Sequence, residues 1–211
     1  AGLRWTREEK EASIYGWYAD APNNVTFGDT LFLPATPNGA EVSSGTREFD
    51  DFTWRLAAQY DVSEILNVWA SYARGRRPDV ISFDSTAADL FVEVPAELVD
   101  SYEVGGFWGW DNTTLQASVF YSEYENFQTG RFDPNNAVFI TDNAGAATQY
   151  GLEAQLDHTF NELVTLFATY AYNFSEFDDT DDQGNTQEFA GNTFRLSPDH
   201  ALSVGLLGEY D

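Results

Sequence analysis

Three arginines stand almost together in "YARGRRPDV": Arg74, Arg76 and Arg77 form the chain's one basic cluster. Guanidinium groups present planar forks of donors, which suit a carboxylate or phosphate. They could therefore meet an anionic ligand or pair with carboxylates of the chain itself. Acid is plentiful, with 35 Asp and Glu against ten Lys and Arg and a formal charge of -25. That balance argues against nucleic acid, which needs a basic footprint. Two stretches concentrate it. Residues 78–98 hold Asp79, Asp84, Asp89, Glu93 and Glu97 but no Lys or Arg, and 175–190 hold Glu176, Asp178, Asp179, Asp181, Asp182 and Glu188. Asp179 and Asp181 open a run, "DTDDQG", spaced like the start of a calcium loop. Gln183 then takes the third ligand position, and Ala190 stands where a bidentate Glu is needed. The acidic stretches thus read as a weak cation site or as solvated loops. Tyr124 and Phe127, in "SEYENFQTG", are rings that could stack a ligand or pack a rim. The histidines, His158 and His200, suggest no catalysis. Asp199 adjoins His200, but neighbours in a strand point to opposite faces. No nucleophile elbow, zinc helix or phosphate loop is present, and we expect neither an enzyme nor a cofactor.

The elements that must carry these residues alternate with period two. Phe52, Trp54, Leu56, Ala58 and Tyr60 oppose Thr53, Arg55, Ala57 and Gln59. Leu66, Val68, Ala70 and Tyr72 oppose Asn67, Trp69, Ser71 and Ala73. Similar runs begin near Tyr102, Leu115, Tyr150, Val164 and Leu202, and "AGLRWTREEK" adds a first, making eight predicted strands. Short polar turns at 61–65, 111–114 and 161–163 alternate with long connections at roughly 18–48, 77–99, 125–148 and 175–190. Tyr60, Trp110, Phe160 and Tyr210 each close a strand on the short-turn side. The chain lacks cysteine, hence disulfides and thiolate metal sites, and no stretch approaches the length of a membrane helix. It opens directly on strand and contains no Met, so we expect a processed product or a piece of something longer.

A soluble sandwich also alternates. However, these runs often reach the roughly 9–11 residues a tilted membrane strand needs. Short turns on one side and long loops on the other is the asymmetry of outer-membrane barrels, whose aromatics ring the interfaces. The apolar parity therefore predicts lipid contact. The other parity, which carries Arg55, Glu103, Glu153 and Asp157, predicts a wet lumen. Tyr60, Trp110, Phe160 and Tyr210 become an interfacial girdle. Arg74 and Arg76 share the lipid parity of Tyr72, where lipopolysaccharide phosphates become further partners.

In order, "LNVWASYARGRRPDV", "PAELVDSYEVGG", "LQASVFYSEYENFQ", "GLEAQL" and "GNTFRLSPDHALSVGL" resemble the barrel of TonB-dependent outer-membrane receptors, and the resemblance covers essentially residues 1–211. It implies part of a plugged, roughly 22-stranded barrel in a Gram-negative outer membrane. The implied work is TonB-energised uptake of a scarce nutrient, most often a ferric siderophore. Implied partners are membrane lipid, the receptor's own plug, TonB and a small iron complex, with the receptor a monomer. No plug or TonB-contacting segment is recognisable. The alternatives are a complete eight-stranded structural or adhesive barrel and a soluble β-sandwich binding module.

Overall fold

The computed structural model describes residues 1–15, 25–27, 31–33, 41–83, 91–133, 138–161, 164–180 and 184–208. Eight long strands form one antiparallel sheet: β1 (Gly2–Tyr15), β4 (Glu41–Ser63), β5 (Leu66–Arg77), β8 (Glu97–Trp110), β9 (Thr113–Glu125), β12 (Ala147–Asn161), β13 (Val164–Phe177) and β14 (His200–Gly208), in that spatial order. Each is hydrogen-bonded to its predecessor in the series, the arrangement of an up-and-down barrel wall. Three two-stranded hairpins occupy the long connections: β2 (Val25–Phe27) with β3 (Leu31–Leu33), β6 (Val80–Phe83) with β7 (Phe91–Val94), and β10 (Gln128–Asp133) with β11 (Val138–Asn143).

The eight predicted strands are all present, but two connections differ from expectation. β1 continues to Tyr15 and β4 already begins at Glu41, so the first connection is shorter than predicted. The last connection runs from Asp178 to Asp199 rather than ending near residue 190. The cause is physical. In "EVSSGTREFDD" both faces are polar, as they must be where both faces meet water, and the alternating signal vanishes although the backbone still pairs.

Among the described residues the eight long strands form one sheet, and the three hairpins are separate two-stranded sheets. Among the described residues the buried apolar side chains are Val94, Ala144, Ala146, Ala147 and Phe177, all at the long-connection end, hereafter the outer end. A sandwich would bury the middle of its strands instead. Here the mid-strand apolar side chains stay open: Leu56, Val104, Val119, Leu202, Val204 and Leu206 are all exposed. That exposure suits lipid and not water. β1 and β14 lie at opposite edges and are not paired, so the sheet is open rather than a closed eight-stranded barrel.

Candidate functional site

Register fixes the two faces. Leu56 lies across from Tyr72, Tyr72 from Tyr102, Tyr102 from Tyr121 and Tyr121 from Tyr150, so one apolar face is continuous over five strands. Tyr72 and Tyr102 stack at 4.8 Å, forming part of an outer belt of phenols. At the other end Tyr60 and Phe160 are 70% and 57% exposed, and Trp110 is also open, on the same apolar parity. These rings close their strands at the short-turn end, on the apolar face. Tyr210 lies outside the described residues.

The opposite face carries Arg55, Glu103, Glu153 and Asp157, as their parity predicts. Glu103 and Glu153 border a shallow depression of about 410 Å³ with Gln116, Ser118, Gln155 and Thr169. Gln155 donates to Asp157 at 2.9 Å. Arg55 lies farther along the wall, across from Gly2 and Ala73.

Sequence reasoning missed a repeated device on this inner face. Trp69 on β5, Phe120 on β9 and Phe167 on β13 lie opposite Gly105, Gly151 and Gly205 on the next strand. Each ring covers its glycine. A Cβ on Gly105 would stand 2.6 Å from the Trp69 ring, and one on Gly151 would stand 2.6 Å from the Phe120 ring. Covering a strand glycine with an aromatic restores packing the glycine cannot supply. The signal was available as aromatics on an otherwise small, polar parity, but recognising it required the register.

The outer rim gathers most remaining candidates, in two different ways. On the β9–β14 side, Tyr124, Phe127, Phe177, Phe189 and Phe194 form one ring cluster, packed on Ala144 and Ala147. Phe127 sits 5.2 Å from Phe177 and 4.7 Å from Phe194, at edge-on and tilted angles. Tyr124 donates to Gln149 at 2.9 Å. Gln187 fastens the 178–199 segment to this cluster. Its amide accepts from Ala146 N at 2.6 Å and donates to the carbonyls of Asp178 at 2.6 Å and Ala146 at 3.1 Å. Gln128, almost wholly buried, similarly donates to the carbonyls of Pro78 and Pro95, each at 2.9 Å.

On the β1–β8 side the arginines serve the rim through charge. Arg74 pairs with Asp100 at 2.6 Å and Glu125 at 3.7 Å, and lies over the Trp54 ring. Arg77 donates to the Gln128 carbonyl at 3.0 Å and faces Glu97 at 3.7 Å. Arg76 departs from its parity. Rather than reaching lipid, its side chain is only 5% exposed and meets Asp79, Asp51 and Glu8. The reason is a split in the sheet: β4 and β5 share backbone pairing only up to Trp54 and Arg74.

Asp179 is exposed, and Asp181 lies outside the described residues. Among the described residues, no group of three or more His, Cys, Asp and Glu is placed to hold a metal ion. His158 faces Thr113 at 2.7 Å and His200 faces Tyr170 at 3.0 Å, both on the apolar parity. Asp199 meets Asn173 through its backbone carbonyl.

Comparison with known proteins agrees with this geometry. The family model described as "TonB dependent receptor-like, beta-barrel" matches residues 1–211. Among solved structures, the chain resembles the ferric yersiniabactin uptake receptor FyuA from Yersinia pestis, with a TM-score of 0.72 and 19% identity, over 99% of this chain and 28% of that one. It resembles the siderophore receptor PiuA from Acinetobacter baumannii with a TM-score of 0.62 and 20% identity, over 97% of this chain and 27% of that one. The copper transporter OprC matches with a TM-score of 0.58 and 13% identity, over 99% of this chain and 30% of that one. The chain thus spans little more than a quarter of the length of the first two. The eight-stranded wall, its two opposed faces and the match along its whole length place the chain in the TonB-dependent receptor β-barrel family.

Proposed function

We propose that this chain forms wall and outer rim of an outer-membrane receptor that takes up a scarce nutrient with energy delivered by TonB. One observation carries the reading: one sheet with an apolar face and a polar face, matched to the family along residues 1–211. Both edges of that sheet offer unpaired backbone groups, which lipid cannot satisfy. Further wall strands are therefore the natural neighbours of β1 and β14. In this reading the receptor works as a monomer in a Gram-negative outer membrane. Its apolar face meets lipid and its upper belt meets lipopolysaccharide. Arg55, Glu103, Glu153 and Asp157 face the plug. The work is transport, not catalysis.

An iron complex, most simply a ferric siderophore, is the cargo we favour, since FyuA is a ferric yersiniabactin uptake receptor and PiuA a siderophore receptor. Entry would pass the ring cluster of Tyr124 and Phe127. Arg74, Arg76 and Arg77 are already engaged with the chain's own acids and carbonyl groups, which favours a positioning role over direct capture of an anion. The test is uptake of radiolabelled ferric siderophores by cells with and without the intact gene, in TonB-positive and TonB-negative backgrounds. Accumulation that needs both supports the reading. Accumulation that needs neither sinks it.

A further inference from the structure

Above Trp54 and Arg74 the wall divides into two ribbons. β4 goes on pairing with β1 as far as Glu41 and Tyr15, about 40 Å of strand at the usual rise. β5 goes on pairing with β8 as far as Arg77 and Glu97. No backbone pair joins β4 to β5 in this outer part. Charged side chains bridge the gap instead. Arg76 of β5 bonds to Asp79, and lies 3.6 Å from Asp51 on β4 and 3.6 Å from Glu8 on β1. Lys10 of β1 donates to the Asp79 carbonyl. Asp79 Oδ1 in turn accepts from Ala96 N at 2.9 Å, tying in the connection that carries β6 and β7. Arg47 of β4 pairs with Glu93 of β7.

We propose that Arg76 is an electrostatic latch: it holds the outer β1–β4 ribbon against the β5–β8 wall, and its release lets that ribbon swing about the last shared pair, Trp54 with Arg74. The bond to Asp79 anchors the cation on its own side of the gap. Arg76's own contacts across the gap are longer than hydrogen bonds, and neither Glu8 Oε2 nor Arg76 Nε has a hydrogen-bond partner, while Lys10 and Arg47 add shorter contacts beside it. The ribbon is thus held by charge at short range rather than by a directional ladder. An ionic bridge of this kind can part without breaking any backbone pair, while the sheet below keeps its register.

The test uses the full-length protein carrying this chain, in detergent or native membranes. The 211 residues have no cysteine, so nitroxide labels can be placed at Thr46 on β4 and Glu123 on β9, both exposed. Pulsed electron–electron resonance then reads the distance between ribbon and wall. Arg76→Met leaves three carboxylates facing the gap without their main cation, and should roughly double the width of the distance distribution. Arg76→Lys, which keeps the charge, should stay near wild type, as should Arg7→Met, which removes an exposed pair within the ribbon. An unchanged distribution in Arg76→Met overturns the latch, and so does equal broadening in Arg76→Lys. Should Arg76→Met fail to assemble, Asp51→Asn, which removes a carboxylate on the far side of the gap, decides: a broadened distribution supports the proposal, and an unchanged width overturns it.

Discussion

The two sides of the rim do one job with different forces. From β9 to β14 the connections are held by apolar rings around Phe177, with glutamine amides lacing neighbouring backbones. From β1 to β8 they are held by arginines set among carboxylates. Ring packing is short-ranged and indifferent to salt, so it fixes a position. Charge pairing without a backbone ladder rests on a few cations, so it holds a position that the loss of one of them can loosen. A rim built in this way has one firm half and one half that can be released.

The largest test removes the centre of the firm half. Phe177→Ala empties the middle of the ring cluster and should cost about 3–5 kcal/mol locally. Hydrogen exchange should then speed greatly at the amides of Gly191 and Asn192, which bond near Phe177, and stay unchanged along β1 and β4. Equal loosening of both halves would break the comparison.

Gly151→Ala strikes the wall that both halves share. A methyl there would collide with the Tyr172 carbonyl and the Phe120 ring, with overpacking of about 1–3 kcal/mol. The temperature at which the barrel loses its compact gel mobility should fall, with neither rim spared preferentially. A smaller effect is expected from Gln187→Ala. It leaves the Ala146 amide without its side-chain acceptor, at about 1–2 kcal/mol. Limited proteolysis should show earlier cutting between residues 184 and 199, with the β6–β7 hairpin unaffected.

Arg76→Met separates the halves at a single cation. It should quicken exchange at the Ala96 amide, held by Asp79, while the Phe127 and Ala144 amides beside the ring cluster keep their protection. Parallel responses would mean that the charged side is held by something else. At the bottom of the scale, Arg7→Met breaks a well-exposed pair with Glu48 and should leave thermal stability where it was.

The two-faced wall was legible because an apolar and a polar surrounding impose opposite demands on alternate residues. Leu66, Val68, Ala70 and Tyr72 against Asn67 and Ser71 could hardly be read otherwise. The rim was much less legible. Tyr124 and Phe127 were visible as aromatics near a loop, but Phe177, Phe189 and Phe194, which complete their cluster, lie far along the chain, at the end of β13 and in the connection after it. Gln128 and Gln187 carry no sequence signal at all. An amide that bonds a distant carbonyl looks like any other polar residue.

Sequence by itself determined the strand period, the eight-stranded wall, the two faces and the end bearing the short turns. Each follows from local chemistry repeated every second residue, and it survives without knowing which strand lies beside which. Tertiary structure alone decided where Arg76 goes. Parity sends it to lipid, but parity assumes an unbroken sheet, and β4 parts from β5 just below it. A cation beside that gap lowers its energy by meeting Asp79, three residues on, together with Glu8 and Asp51, which only the divergence of two ribbons brings to it. Long-range charge pairing depends on positions in space, and those are not written in any one stretch of chain.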